Sequence, residues 1–142
     1  MRDYPATIDE VLEPPVKFRL QTVRAVKAFA RSRPWRGSLA ERAEKFQTLH
    51  RSLCGIYGKR TALRFGLLDG GCSGASSFHP GGDQIVLVGK LSVVTYLHEF
   101  AHALGRGERG AVRWSVNLFR RCSPRSFARA QAEGHMLRRS AR

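Results

Sequence analysis

His98 and His102 stand four residues apart with Glu99 directly after the first histidine, and these three residue types at this spacing could do chemistry. On an α-helix, residues i and i+4 lie one turn above each other on the same face, so both imidazoles can reach one metal ion. A glutamate beside that ion is placed to take a proton from water the ion has activated. Zinc is the expected cofactor, because it takes neutral imidazole and carboxylate ligands in a tetrahedral shell. The bland alternative is a solvated helix carrying two histidines by accident. Helix phase argues against it. At about 100° per residue, Val93, Leu97, Phe100, Ala101 and Leu104 share one apolar stripe. His98 and His102 fall off that stripe on a common side face. Ser92 reads as the N-cap, and Gly105 and Gly107 end the helix.

From residue 98 the chain reads HEFAHALGRGE, which resembles the zincin metallopeptidases. The metzincin branch reads HExxHxxGxxH; here Gly105 stands at the turning glycine and Glu108 where that branch has its third histidine. The stretch from Glu108 to Pro124 is similar to the Glu-led helix that follows HExxH in compact bacterial and phage zincins. The likeness spans roughly residues 75–124. A more distant similarity is to the SprT-like proteases, which act on DNA-bound proteins, yet no histidine lies between His102 and His135 to match their nearby third ligand. Nor is there a Met-turn, since Met136 lies in a helical-looking tail. The resemblance implies a zinc ion on His98, His102 and Glu108, with one position left for water. It implies peptide-bond hydrolysis, Glu99 accepting the water proton and passing it to the leaving amine. A carboxylate is an acceptable third ligand. Glu133 and His135 of the tail and His79 before Pro80 are the other candidates, and Cys72 reads as an inert loop thiol.

The elements that must position these residues indicate an α+β, minimal zincin-like domain over residues 1–142. Residues 1–15 read as an extended N-terminal segment and 139–142 as a flexible tail. A helix is expected from Val16 to Arg31, broken by Arg33-Pro34. Ser38-Leu39-Ala40-Glu41 is a capping box that opens a second helix, with Ala43, Phe46, Leu49, Leu53 and Ile56 inward and Gly58 as its stop. Strands are expected over residues 62–67, 75–78 and 84–88 in a small antiparallel or mixed sheet, with helices over 111–121 and 127–138. Gln84–Val88 is taken as the edge strand beside the motif helix, so that Ile85, Val86 and Leu87 hold an extended peptide by strand addition. The loop Gly70-Gly71-Cys72-Ser73-Gly74 lacks the lysine and hydroxyl of a phosphate-binding loop, which excludes that reading.

Composition bounds the function classes. A chain of 142 residues, 42% hydrophobic and 25% charged, can bury a core without disulfides. Cys54, Cys72 and Cys122 are odd in number and lack CxxC spacing, as expected of reduced thiols in the cytoplasm. MRDYPATIDE has no apolar signal region, and the longest aliphatic run, Ile85–Val88, is far too short to span a membrane. Net charge is +14, with ten arginines and two acids from Arg106 onward and a second cluster of Arg31, Arg33 and Arg36 around Pro34-Trp35. Such a field favours non-specific nucleic acid as a partner. Arginine-rich codon usage is the plain alternative. Three functions follow: a zinc peptidase acting on a peptide or protein, a nucleic-acid-associated protein with a structural or vestigial zinc site, and a regulatory module of a mobile element.

Overall fold

The computed structural model describes residues 7–66, 77–79, 83–89 and 91–133. Ile8–Leu12 (α1) is a short helix inside the segment expected to be extended. Thr7 Oγ1 caps it by accepting the Glu10 N–H, Asp9 and Glu10 suit its positive end, and Ile8 and Val11 are buried. A second helix, Leu20–Arg31 (α2), starts four residues later than expected. No Ser, Thr, Asp or Asn stands at residues 16–19 to cap an earlier turn. Val16 and Phe18 instead pack on the core from an extended chain, the Phe18 ring meeting Trp114 edge-on at 5.8 Å.

Leu39–Tyr57 (α3) has the expected capping box, with Ser38 and Glu41 bonded reciprocally at 3.1 Å, and ends at Gly58 in the left-handed conformation. Three strands follow, Ala62–Gly66 (β1), Ser77–His79 (β2) and Gln84–Val88 (β3). Then come the motif helix Val93–Ala103 (α4), Glu108–Cys122 (α5) and Pro124–Ala132 (α6). The last two begin three residues before the expected starts. Gly107 caps α5 in extended conformation, and Pro124 occupies the first turn of α6, where its missing N–H is no loss.

The class is α+β and the sheet is mixed, with strand order β1-β3-β2. β1 pairs parallel to β3, and β2 pairs antiparallel to it. This corrects the assignment of Gln84–Val88 as an edge. β3 is paired with β1 along its whole length and with β2 over residues 84–86, so Ile85 and Val86 have neighbours on both sides and are not open to a substrate strand, and Leu87 is paired with Phe65 of β1. Ile85 and Leu87 are core residues at 0% and 2% exposure. The apolar run Ile85–Val88 marks a strand, and its burial alternates between Ile85 and Leu87 and the half-buried Val86 and Val88.

α4 packs against α5 and against β2 and β3, while α3 packs on β1 and α2. The core between them is aromatic. Phe46, Tyr96, Phe100 and Trp114 form a chain of edge-on, tilted and stacked rings with centroids 6.0–6.2 Å apart. A second apolar cluster joins Ile8 and Val11 of α1 to Val112 and Val116 of α5.

Candidate metal centre

α4 places its apolar stripe as phase predicts. Leu97, Phe100 and Ala101 are fully buried, with Tyr96 also on that side, and the stripe anchors the helix in the core. Ser92 Oγ accepts the Thr95 N–H and caps it. His98 and His102 then share the flank, half-buried, with their Nε2 atoms 3.1 Å apart.

Gly105, at φ +93°, ends α4 in a left-handed turn. Its N–H donates to the His102 carbonyl at 2.9 Å, and the Arg106 N–H donates to the Ala101 carbonyl at 3.1 Å. This is the Schellman pair that satisfies the last carbonyls of a helix. The turn has two consequences for the site. The Arg106 carbonyl comes within 2.8 Å of His102 Nδ1, which donates to it. That bond puts the proton on Nδ1 and leaves the Nε2 lone pair facing His98, the orientation usual for a ligating histidine. The chain also doubles back, so Glu108, the first residue of α5, sets Oε1 2.5 Å from His98 Nε2 and 3.3 Å from His102 Nε2. The positive end of the α5 dipole favours a carboxylate there.

Three electron-rich atoms this close repel one another unless a cation or a proton lies between them. Burial, the largest influence on His98, holds its pKa below the ordinary histidine value, against the opposing pull of the Glu108 charge. A neutral imidazole is the form a metal takes. Ligand atoms about 2.0–2.1 Å from a tetrahedral zinc lie about 3.3 Å from each other. The 3.1 and 3.3 Å separations fit that shell, the 2.5 Å between His98 Nε2 and Glu108 Oε1 is shorter than it and would have to open to admit an ion, and the donor set is a hard carboxylate with two imidazoles. His98, His102 and Glu108 are the group among the described residues that could hold a metal ion.

Glu99 is buried, at 8% exposure, one position along from His98. Glu133 is exposed at the end of α6 and is not part of the group. The His79 side chain, His135, Met136 and Cys72 lie outside the described residues, as does the 139–142 tail.

Compared with known protein families, curated proteins and solved structures, the chain matches none.

Two contributors escaped sequence reasoning. The first is the Arg106 carbonyl, whose position follows once Gly105 is read as a Schellman cap rather than only as a stop. The second is a buried brace behind α4. Tyr96 Oη donates to His50 Nδ1 at 2.7 Å, His50 Nε2 donates to the Thr61 carbonyl at 2.6 Å, and Thr61 Oγ1 donates to Asp83 Oδ1 at 2.9 Å. The bond to a carbonyl, which can only accept, sets the His50 tautomer. The brace ties α4 to α3 and to the approaches of β1 and β3. His50 lies between Phe46, Leu49 and Leu53 on the inward face of α3, and that phase was its signal.

Proposed function

We propose that this chain is a zinc-dependent metallopeptidase of the HExxH type, acting in the cytoplasm on a peptide or protein substrate. The convergence of His98, His102 and Glu108 on one small volume, set up by the Gly105 turn, carries the reading. Support for the compartment comes from Cys54 and Cys122, which are unpaired thiols, and no helix among the described residues is long and apolar enough to cross a membrane.

His98, His102 and Glu108 would hold the ion. A bound zinc supplies Lewis acidity, polarising the scissile carbonyl and lowering the pKa of water. Glu99 is not one of the converging ligands; its role is to accept the water proton and deliver it to the departing amine. The Arg106 carbonyl keeps His102 in the ligating tautomer throughout. Backbone pairing with an extended substrate falls to β2, an outer strand among the described residues and the one on which α4 also packs, since β3 lies between β1 and β2.

Metal content and one substitution test this reading together. The purified chain should carry about one zinc per molecule. Glu99→Gln should retain that zinc and the fold while peptide hydrolysis falls by about 100- to 10,000-fold. A chain that neither contains zinc nor gains thermal stability on adding it is no metalloenzyme. Loss of zinc in Glu99→Gln would make Glu99 a ligand and remove the proposed base.

A second reading, nucleic-acid association with a structural or vestigial zinc site, draws on the +14 charge and on Arg120, Arg121, Arg125 and Arg129, all exposed at the end of α5 and on α6. Net charge supplies attraction and not a site. Full hydrolysis by protein free of nucleic acid separates the two.

A further inference from the structure

The junction of α2, α3, α5 and α6 carries a surface that the metal centre does not use. Its deep part is a cavity of about 200 Å³ walled by Val26, Phe29, Phe46, Leu91, Val93 and Phe119. A shallower groove of about 560 Å³ adjoins it, bordered by Lys27, Arg31, Pro124 and Arg125. Trp35 borders both and is 60% exposed.

The turn that displays Trp35 is strained and pinned. Arg33, directly before Pro34, adopts φ +55°, a conformation costly for a residue other than glycine. Lys45 Nζ donates to the Arg33 carbonyl at 3.0 Å, and Arg42 Nε donates to the Pro34 carbonyl at 2.9 Å. Two cations are thus committed to the carbonyls of a turn that holds a tryptophan outward. An exposed aromatic on a pinned turn beside an apolar cavity has the properties of a binding anchor, because little backbone freedom remains to be lost on association.

We infer that this surface docks an acidic segment of another protein, with one large apolar side chain in the cavity against Trp35 and carboxylates facing Lys27, Arg31 and Arg125. Charge complementarity selects this occupant: every charged residue lining the cavity and the groove is basic. The cavity is below the roughly 300–1,000 Å³ of sites for drug-sized ligands but admits a side chain. Nucleic acid fits less well. The cavity walls are apolar, and the guanidinium of Arg42, its one charged lining group, already donates to the Pro34 and Leu91 carbonyls. A base edge placed there would lose hydrogen bonds to water without replacement. Residues 134–142 of the chain itself carry three arginines and no acid, so they are not the complement. Val93 opens α4 five residues before His98, about 7.5 Å along the helix axis, so a docked partner sits on the element that bears the metal ligands. Docking is independent of whether the centre hydrolyses peptides.

The test is fluorescence anisotropy on the full chain with three labelled probes: a short Glu/Ser peptide with one central Phe, the same peptide with Ser in its place, and oligo(dT). The Phe peptide should bind at least about tenfold more tightly than the Ser peptide, the difference a buried anchor makes. Trp35→Ala and the pair Arg31→Glu/Arg125→Glu should each weaken it by about tenfold, with an unchanged urea midpoint because all three residues project into solvent at the rim. Equal binding of the two peptides, or no binding of either at low salt, overturns the assignment. So does oligo(dT) binding that these same variants abolish, which would make the surface a nucleic-acid site.

Discussion

Two local devices bring His98, His102 and Glu108 to one point. His98 and His102 meet because helical spacing stacks them, and Glu108 joins because the chain reverses at Gly105. If the group holds zinc, its members are not interchangeable with polar residues elsewhere. Glu108→Ala should lower zinc affinity by more than the roughly 10- to 100-fold typical of losing a residue that only supports a ligand. Glu133→Ala and His135→Ala should leave affinity unchanged. Titration with a competing zinc chelator reads all three. Unaltered affinity in Glu108→Ala would move the third ligand elsewhere, while the histidine pair and Glu99 would keep their assigned roles.

Elements hold this arrangement in place, and two substitutions test how. Gly105→Ala meets open space around the new methyl, so its cost is backbone conformation alone, about 1–2 kcal/mol for an L-residue in the left-handed region. A urea titration should show that loss, and zinc binding should weaken with it, since the same turn delivers both the Arg106 carbonyl and Glu108. A destabilised variant with undiminished zinc affinity would uncouple the cap from the site. Behind α4, burial holds the His50 pKa below its ordinary 6.5, only partly offset by the bond to the Thr61 carbonyl. The unfolded chain therefore takes up the proton first. His50 contributes stability that is fully present above pH 6.5 and is lost as pH falls from there toward its folded value. His50→Gln should be less stable at neutral pH by about 1–3 kcal/mol, because the Tyr96 hydroxyl and Thr61 carbonyl lose good partners. It should also lose less stability on acidification; an equal loss in both proteins would show that other groups dominate.

For the whole molecule the dominant quantity is charge. With 25 lysines and arginines against 11 acids, most cations have no acid to pair with, and the arginine pairs Arg51–Glu44 and Arg109–Glu10 lie in solvent. The field is therefore scarcely neutralised from within. Any binding to DNA or RNA should be indifferent to sequence and weaken steeply with salt, as arginines that neutralise phosphates release counterions. Reversing Arg120, Arg121 and Arg129, which leaves Arg125 of the docking groove intact, should flatten the dependence of log K on log salt by about 0.9 for each phosphate no longer neutralised. Zinc content should not change. No binding to any nucleic acid at low salt would trace the charge to codon usage.

Much of this protein is set by local pattern and needs no long-range information. The HExxH spacing, the phase of its helix, the Ser92 and Ser38 caps and the Gly58 and Gly105 stops act within one or two turns, and the chain folds there as its residues dictate. Helix starts were less legible. α1 forms because Ile8 and Val11 find Val112 and Val116 a hundred residues away, and α2 starts late because Phe18 is drawn to Trp114. Strand neighbours were not legible at all. A five-residue run can be recognised as a strand from its composition, but whether it lies at the edge or the centre depends on which segments pair beside it, and that choice placed Ile85 and Leu87 in the core. Tertiary structure alone decided that Tyr96 meets His50, and that cavity and basic groove share Trp35, because these meetings join segments whose separation along the chain carries no record of their distance in space.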